Sequence, residues 1–149
     1  MTARARVEAV ADRIPLPAET LIGVAAAVLL QRASPWVLPA WTRPAGAMCT
    51  VGGLALVGTA WRERGPGSLE DPAALVTTRL HGISRNPMYV GFTAAQLGLG
   101  GVARNGWGLV TCPVSAVLLH RWVLREERWL RERFGRDYDA YRAGVPRYF

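Results

Sequence analysis

Lysine is absent from this 149-residue sequence: all 18 cationic residues are arginine, against 11 acidic ones, for a formal charge of +7. Uncharged runs of bilayer length are also lacking, since none reaches the roughly 20 residues that span a membrane. Cysteine occurs only as Cys49 and Cys112, each inside an apolar run with no CxxC spacing or His/Cys cluster nearby. That argues against a zinc site or a disulfide framework, so no metal is expected and both read as small buried residues. A Rossmann fingerprint is missing, because Gly98-Leu99-Gly100-Gly101 lies within an apolar run with no strand before it. A convincing signal peptide is missing too: Arg4 and Arg6 are followed by Glu8, Asp12, Arg13, Pro15 and Pro17 before any apolar stretch begins.

What is present is apolar material cut by arginines. Half of the residues are hydrophobic. Four uncharged runs stand out: twelve residues between Glu19 and Arg32, eighteen between Arg43 and Arg62, eighteen between Arg85 and Arg104, and sixteen between Arg104 and Arg121. Arginines snorkelling from the run ends lengthen each span, so the runs predict about four transmembrane helices despite being short. The first is the shortest and alternatively forms an interfacial or re-entrant helix continuing irregularly through Ser34-Pro35-Trp36 to Pro39. Only Arg104-Asn105-Gly106 joins the third and fourth runs, and its Asn-Gly step predicts a tight helical hairpin. Counting arginines on alternate sides gives fifteen against three (Arg32, Arg43 and Arg104), which orients both termini to the cytoplasm. Trp36, Trp41, Trp61, Trp107 and Trp122 fall near run ends, where indoles favour the headgroup level. The arginines flank apolar runs instead of forming a soluble basic face, so the expected counter-charge is membrane phosphate and not nucleic acid. The lysine-free, Ala/Gly/Arg-heavy composition points to a GC-rich bacterial source, and so to a bacterial inner membrane.

Two segments carry more than topology. From Leu75 to Gly91 a polar stretch ends in Arg85-Asn86-Pro87 directly before an apolar helix, with proline suited to the first turn and asparagine to the cap. That pairing is explicable as a helix start without any chemistry. The second segment begins at Arg125-Glu126-Glu127-Arg128-Trp129-Leu130, passes through Phe134-Gly135 and Tyr138-Asp139-Ala140-Tyr141, and ends at Val145-Pro146-Arg147. A solvated amphipathic helix accounts for its i, i+4 pairs, Glu127 with Arg131 and Arg128 with Glu132. It accounts poorly for so many aromatics in a charged tail, which should pack over the membrane surface or a planar ligand.

Together, Ser84-Arg85-Asn86-Pro87-Met88-Tyr89-Val90-Gly91 and, about 35 residues on, Glu126-Glu127-x-x-Leu130, Phe134-Gly135 and Tyr138-x-x-Tyr141 resemble the isoprenylcysteine carboxyl methyltransferase and phospholipid methyltransferase family. The match spans roughly residues 75–147. The resemblance implies a single membrane-embedded domain over residues 1–149: an all-α polytopic protein with four transmembrane helices and a cytoplasmic C-terminal helix. It also implies an S-adenosylmethionine pocket at the cytoplasmic end. By matching positions, Glu126 would hold the cofactor, with Glu127 as the neighbouring carboxylate that alternatively faces solvent. Leu75 and Val76 would line the pocket, and Asn86, Pro87, Met88 and Tyr89 would form its wall.

The chain departs from the family at His81-Gly82, where many members carry an aromatic residue followed by arginine. His81 could stack on the cofactor, accept a proton from an amine or thiol, or sit at the interface with no catalytic role. His120 reads as packed or interfacial. Direct transfer of a methyl to a membrane-partitioned acceptor depends on alignment and desolvation. A carboxylate acceptor could be oriented bidentately by Arg121 or Arg125. The acceptor is left open among carboxylate, thiol and amine, and so is the oligomeric state, since Gly52, Gly53 and Gly58 suit either internal helix packing or a dimer face. Two other readings remain: a membrane NADPH-dependent reductase of sterol-reductase-like organisation, and a non-catalytic scaffold binding anionic lipid.

Overall fold

The computed structural model describes residues 17–64 and 74–149, together with the backbone of 67–68 and 71–72. Among them are five α-helices: α1 (Ala18–Ala33), α2 (Thr42–Arg64), α3 (Pro87–Val102), α4 (Gly108–Phe134) and α5 (Arg136–Gly144). A short antiparallel pairing of Gly67–Ser68 with Asp71–Pro72 and a 3₁₀ turn at Arg79–Gly82 lie between α2 and α3. The fold is all-α as expected, but only α2, with mean hydropathy 1.2 over an 18-residue stretch, is long and apolar enough to cross a membrane among the described residues. At 16 residues each, α1 and α3 rise about 24 Å, short of a hydrocarbon core of about 30 Å.

Glycine decides which helices pair. α3 lies most extensively along α2, not along α4, its partner in the expected hairpin. A Cβ on Gly53 would meet the Gly91 carbonyl at 2.6 Å, and one on Gly46 would meet the Gly98 carbonyl at 2.6 Å, so these backbones touch directly. Gly52 faces open space, as does Gly58, so of the three glycines left ambiguous by sequence only Gly53 serves internal packing. α1 packs on α4, where Gly23 makes room for the buried pair Gln96 and Ser115 (Nε2 to Oγ, 3.1 Å). Small and polar residues share the interior with Met88, Phe92, Leu119 and Val123, while Leu21, Ile22, Leu29, Met48, Val51, Val114 and Val117 are exposed.

The end away from the tail is fastened by the turn after α3. Arg104 takes φ of 53°, and the buried Asn105 donates from Nδ2 to the Ala27 carbonyl (2.8 Å) while its Oδ1 accepts from Trp107 N–H (3.0 Å). The segment after α1 runs irregularly and bridges to this turn: Gly106 N–H donates to the Trp36 carbonyl (2.8 Å) and Leu38 N–H to the Arg104 carbonyl (2.9 Å).

At the opposite end α4 does not stop where its apolar run ends. It continues to Phe134, so Glu126 and Glu127 ride on the same helix as the apolar run. Gly135, with φ of 53° and ψ of −120°, then turns the chain into α5. Such a backbone suits only glycine. α5 folds Tyr138 and Tyr141 inward, and both are buried.

Candidate active site

Where α2, the 3₁₀ turn, the start of α3, α4 and α5 converge, a partly open cleft forms. Leu75, Val76, His81, Asn86, Pro87, Met88, Tyr89 and Glu126 all line it, so the structure brings together these eight residues singled out from sequence. Arg64, Arg85, Leu130 and Tyr141 complete most of the wall.

Pro87 occupies the first turn of α3, but Asn86 does not cap the helix with its side chain. Its Nδ2 instead donates to the Arg147 carbonyl (3.1 Å) and to Glu127 Oε1 (3.4 Å), which ties the loop before α3 to the tail. Arg85 N–H donates to the Pro146 carbonyl (3.0 Å) along the same seam.

Successive helical residues point about 100° apart, and the two glutamates separate accordingly. Glu126 faces the cleft, where Arg64 Nη2 lies 2.5 Å from Oε1 and the Tyr89 hydroxyl donates to Oε2 (3.0 Å). Glu127 turns away from the cleft but not to solvent: it is buried, accepting from Arg147 Nε (3.0 Å) and Nη2 (2.9 Å) and lying 3.1 Å from Arg85 Nη1. The expected helical pair of Glu127 with Arg131 is thereby replaced. Arg131 pairs instead with Asp139 (3.0 Å) on the exposed side. Hydrogen bonds to Glu127 hold the Arg147 guanidinium above its ordinary pKa.

His81 is 7 % exposed. Its Nδ1 lies 3.1 Å from Glu63 Oε2, and Glu63 also accepts from Leu80 N–H (3.2 Å). The Tyr141 hydroxyl donates to the His81 carbonyl at 2.5 Å. Burial lowers the imidazole's pKa below its ordinary value, against the opposing pull of Glu63. A carboxylate offers acceptors only, so the hydrogen of this contact is carried by the His81 Nδ1. Burial likewise pushes the Tyr141 hydroxyl up to about 12.

Arg121 and Arg125 are not brought to the cleft. Both are exposed, and Arg125 lies over the Trp122 ring, 5.0 Å from its centroid. His120 pairs with the Tyr148 hydroxyl (2.7 Å) outside the cleft lining. Sequence reasoning missed Glu63 and Arg64, whose one signal is a charged pair at the end of an apolar helix. Leu130 was legible as the residue one helical turn beyond Glu126.

The residues present suit S-adenosylmethionine. Glu126 offers a carboxylate for hydroxyls or an ammonium, and Leu75, Val76, Pro87, Met88 and Leu130 offer apolar wall. Tyr89 and Tyr141 supply aromatic rings, which favour a sulfonium near their π faces. Arg85 Nε is buried with no partner among the described residues, a donor that a carboxylate in the cleft would satisfy.

The fold is thus an all-α bundle with a largely apolar cleft, carrying a carboxylate, at one end. The chain matches the model of the phospholipid methyltransferase family over residues 42–137, more than half its length, and belongs to that family. The family is membrane-associated and its domain implies methyl transfer, in accord with the apolar α2. No curated protein and no solved structure matches the chain.

Proposed function

We propose that this protein transfers a methyl group from S-adenosylmethionine to a membrane-partitioned lipid acceptor. The observation that carries the reading is Glu126: a carboxylate facing a largely apolar cleft, with both oxygens placed by Arg64 and Tyr89. Glu126, Tyr89, Asn86, Pro87, Met88, Leu75, Val76 and His81 would hold the cofactor, and Glu127 would keep the tail closed on the loop before α3. When bound, the cofactor supplies an electrophilic methyl on a sulfonium. The side chains around it need only orient both reactants and exclude water.

The whole chain acts as one domain in the membrane on this account. α1, α3 and α4 join α2 as spans, because many large apolar residues, Ile22, Leu29, Leu99 and Val117 among them, are exposed on the helices, an arrangement that suits lipid better than water. α1 and α3 fit by snorkelling and local thinning of the bilayer. The arginine asymmetry puts both termini and the cleft on the cytoplasmic side of a bacterial inner membrane.

Calorimetric titration of the detergent-purified protein with S-adenosylhomocysteine, and in parallel with NADPH, tests the reading. Micromolar binding of the former that disappears in Glu126→Ala is the expected result. NADPH binding alone would move the protein to the reductases, and binding of neither would leave a lipid-binding scaffold as the better account.

A further inference from the structure

We propose that Arg64 is an intramolecular competitor for Glu126: the cationic cofactor displaces its guanidinium, and the guanidinium reclaims the carboxylate once methyl transfer has left a neutral thioether. The inference rests on the methyltransferase reading above. Glu126 is the only acid lining the cleft among the described residues. Both of its oxygens are engaged: Arg64 Nη2 lies 2.5 Å from Oε1, and the Tyr89 hydroxyl donates to Oε2 (3.0 Å). The other titratable groups of the lining nearest them are matched elsewhere, Arg85 by Glu127 (3.1 Å) and His81 by Glu63 (3.1 Å). Arg64 and Glu126 therefore balance each other, and among the described residues no further anion lines the cleft.

S-adenosylmethionine carries a sulfonium and an ammonium against one carboxylate, so one positive charge is in excess. If Arg64 stayed on Glu126, that excess would enter a largely apolar cleft with no anion to meet it, which is costly. With Arg64 withdrawn, Glu126 meets it. In the transfer the acceptor's electron pair forms the new bond to carbon, and the carbon–sulfur bond breaks with its electrons left on sulfur. S-adenosylhomocysteine then has no excess charge, and the Arg64–Glu126 pair closes again. The ribose hydroxyls are neutral donors that share the carboxylate with Arg64, since a carboxylate offers about four acceptor sites. The cleft thus holds the spent product at less electrostatic cost than the cofactor, and activity falls as product accumulates. The local structure leaves the guanidinium free to move. The Arg64 side chain is 18 % exposed, and Glu126 is its one side-chain partner among the described residues. It lies in the last turn of α2, whose carbonyl end attracts a cation. Its neighbour Glu63 anchors that end on Leu80 N–H (3.2 Å) and His81, so the helix need not shift when Arg64 swings.

The test compares two unreactive ligands by calorimetry on the detergent-purified protein. Sinefungin carries an ammonium in place of the sulfonium, and S-adenosylhomocysteine is neutral at that position. Arg64→Gln should tighten sinefungin by about tenfold, the low end of what one neighbouring charge does, and S-adenosylhomocysteine much less. Without ligand the variant should melt below wild type, because Glu126 has lost its cation, yet sinefungin should raise its melting temperature more than it raises that of wild type. Arg64→Lys keeps the charge and should keep the wild-type ratio of the two affinities. A wild-type protein that binds neither ligand would overturn the reading beneath the inference. If wild type binds both and Arg64→Gln weakens them, Arg64 is a direct ligand of the cofactor and the competition is refuted. Equal changes for the two ligands, or a ratio that moves as far in Arg64→Lys, would likewise overturn the inference alone. A lower melting temperature with unchanged affinities would make Arg64 merely structural.

Discussion

Removing the Glu127 carboxylate should unfold this protein more readily than any change to its neighbour Glu126. Glu127 is 9 % exposed and receives bonds from Arg147 and Asn86, with Arg85 at 3.1 Å. The Arg85 side chain is itself 8 % exposed; it also has a 3.3 Å contact to the Tyr138 hydroxyl, and its Nε has no partner among the described residues. In Glu127→Ala that guanidinium stays desolvated without an anion, a loss of about 3–5 kcal/mol when one partner of a buried pair is removed. Arg147, one-third exposed at 33 %, regains water, so its share is small and the lower end, about 3 kcal/mol, is expected. Taking out both charges in Arg85→Met/Glu127→Leu should cost less than the single change, because no buried charge is stranded. The assay is a urea titration in detergent micelles followed by circular dichroism. A loss of under about 1 kcal/mol in Glu127→Ala would mean the pair behaves like a surface bridge, and a double variant weaker than the single one would refute the stranded-charge argument.

Gly53→Ala should lose about 1–3 kcal/mol, since its Cβ would meet backbone atoms of Gly91 and Ala95 at 2.6 Å, whereas Gly52→Ala, facing open space, should be neutral or slightly stabilising; thermal melts of the pair decide it. Tyr141, held at about 12 in the fold against an ordinary value near 10, favours the folded state fully below pH 10. That contribution is lost as pH rises from 10 toward 12, because the unfolded chain gives up its proton first. Denaturation measured across that window should show the loss in wild type and a flatter profile in Tyr141→Phe, together with about 1 kcal/mol less stability for the missing bond to the His81 carbonyl.

Local chemistry was legible along the chain. Asn105-Gly106 turned the chain between α3 and α4, Pro87 began α3, and Glu126 with Leu130 fell on one face of a helix because residues four apart share it. The cap at Asn86 was misjudged because its amide found stronger acceptors in the tail than in its own helix. The continuity of α4 past its apolar run was not legible either. Charge and aromatic content change at Arg125 without a breaker, and the break comes only at Gly135.

The order of apolar runs, the family motifs, and the residue types that could meet at one end of the bundle are properties of the sequence alone, since each depends on neighbours within a turn or two of helix. Only the tertiary structure decided that α2 lies against α3, because glycines 38 residues apart must face each other before two backbones can touch. It also decided that Arg64 reaches the cleft and Glu63 meets His81, while Arg121 and Arg125 stay outside, and that Glu127 is buried between two arginines. Side-chain direction around a helix is set by what packs against it, and those partners come from distant parts of the chain.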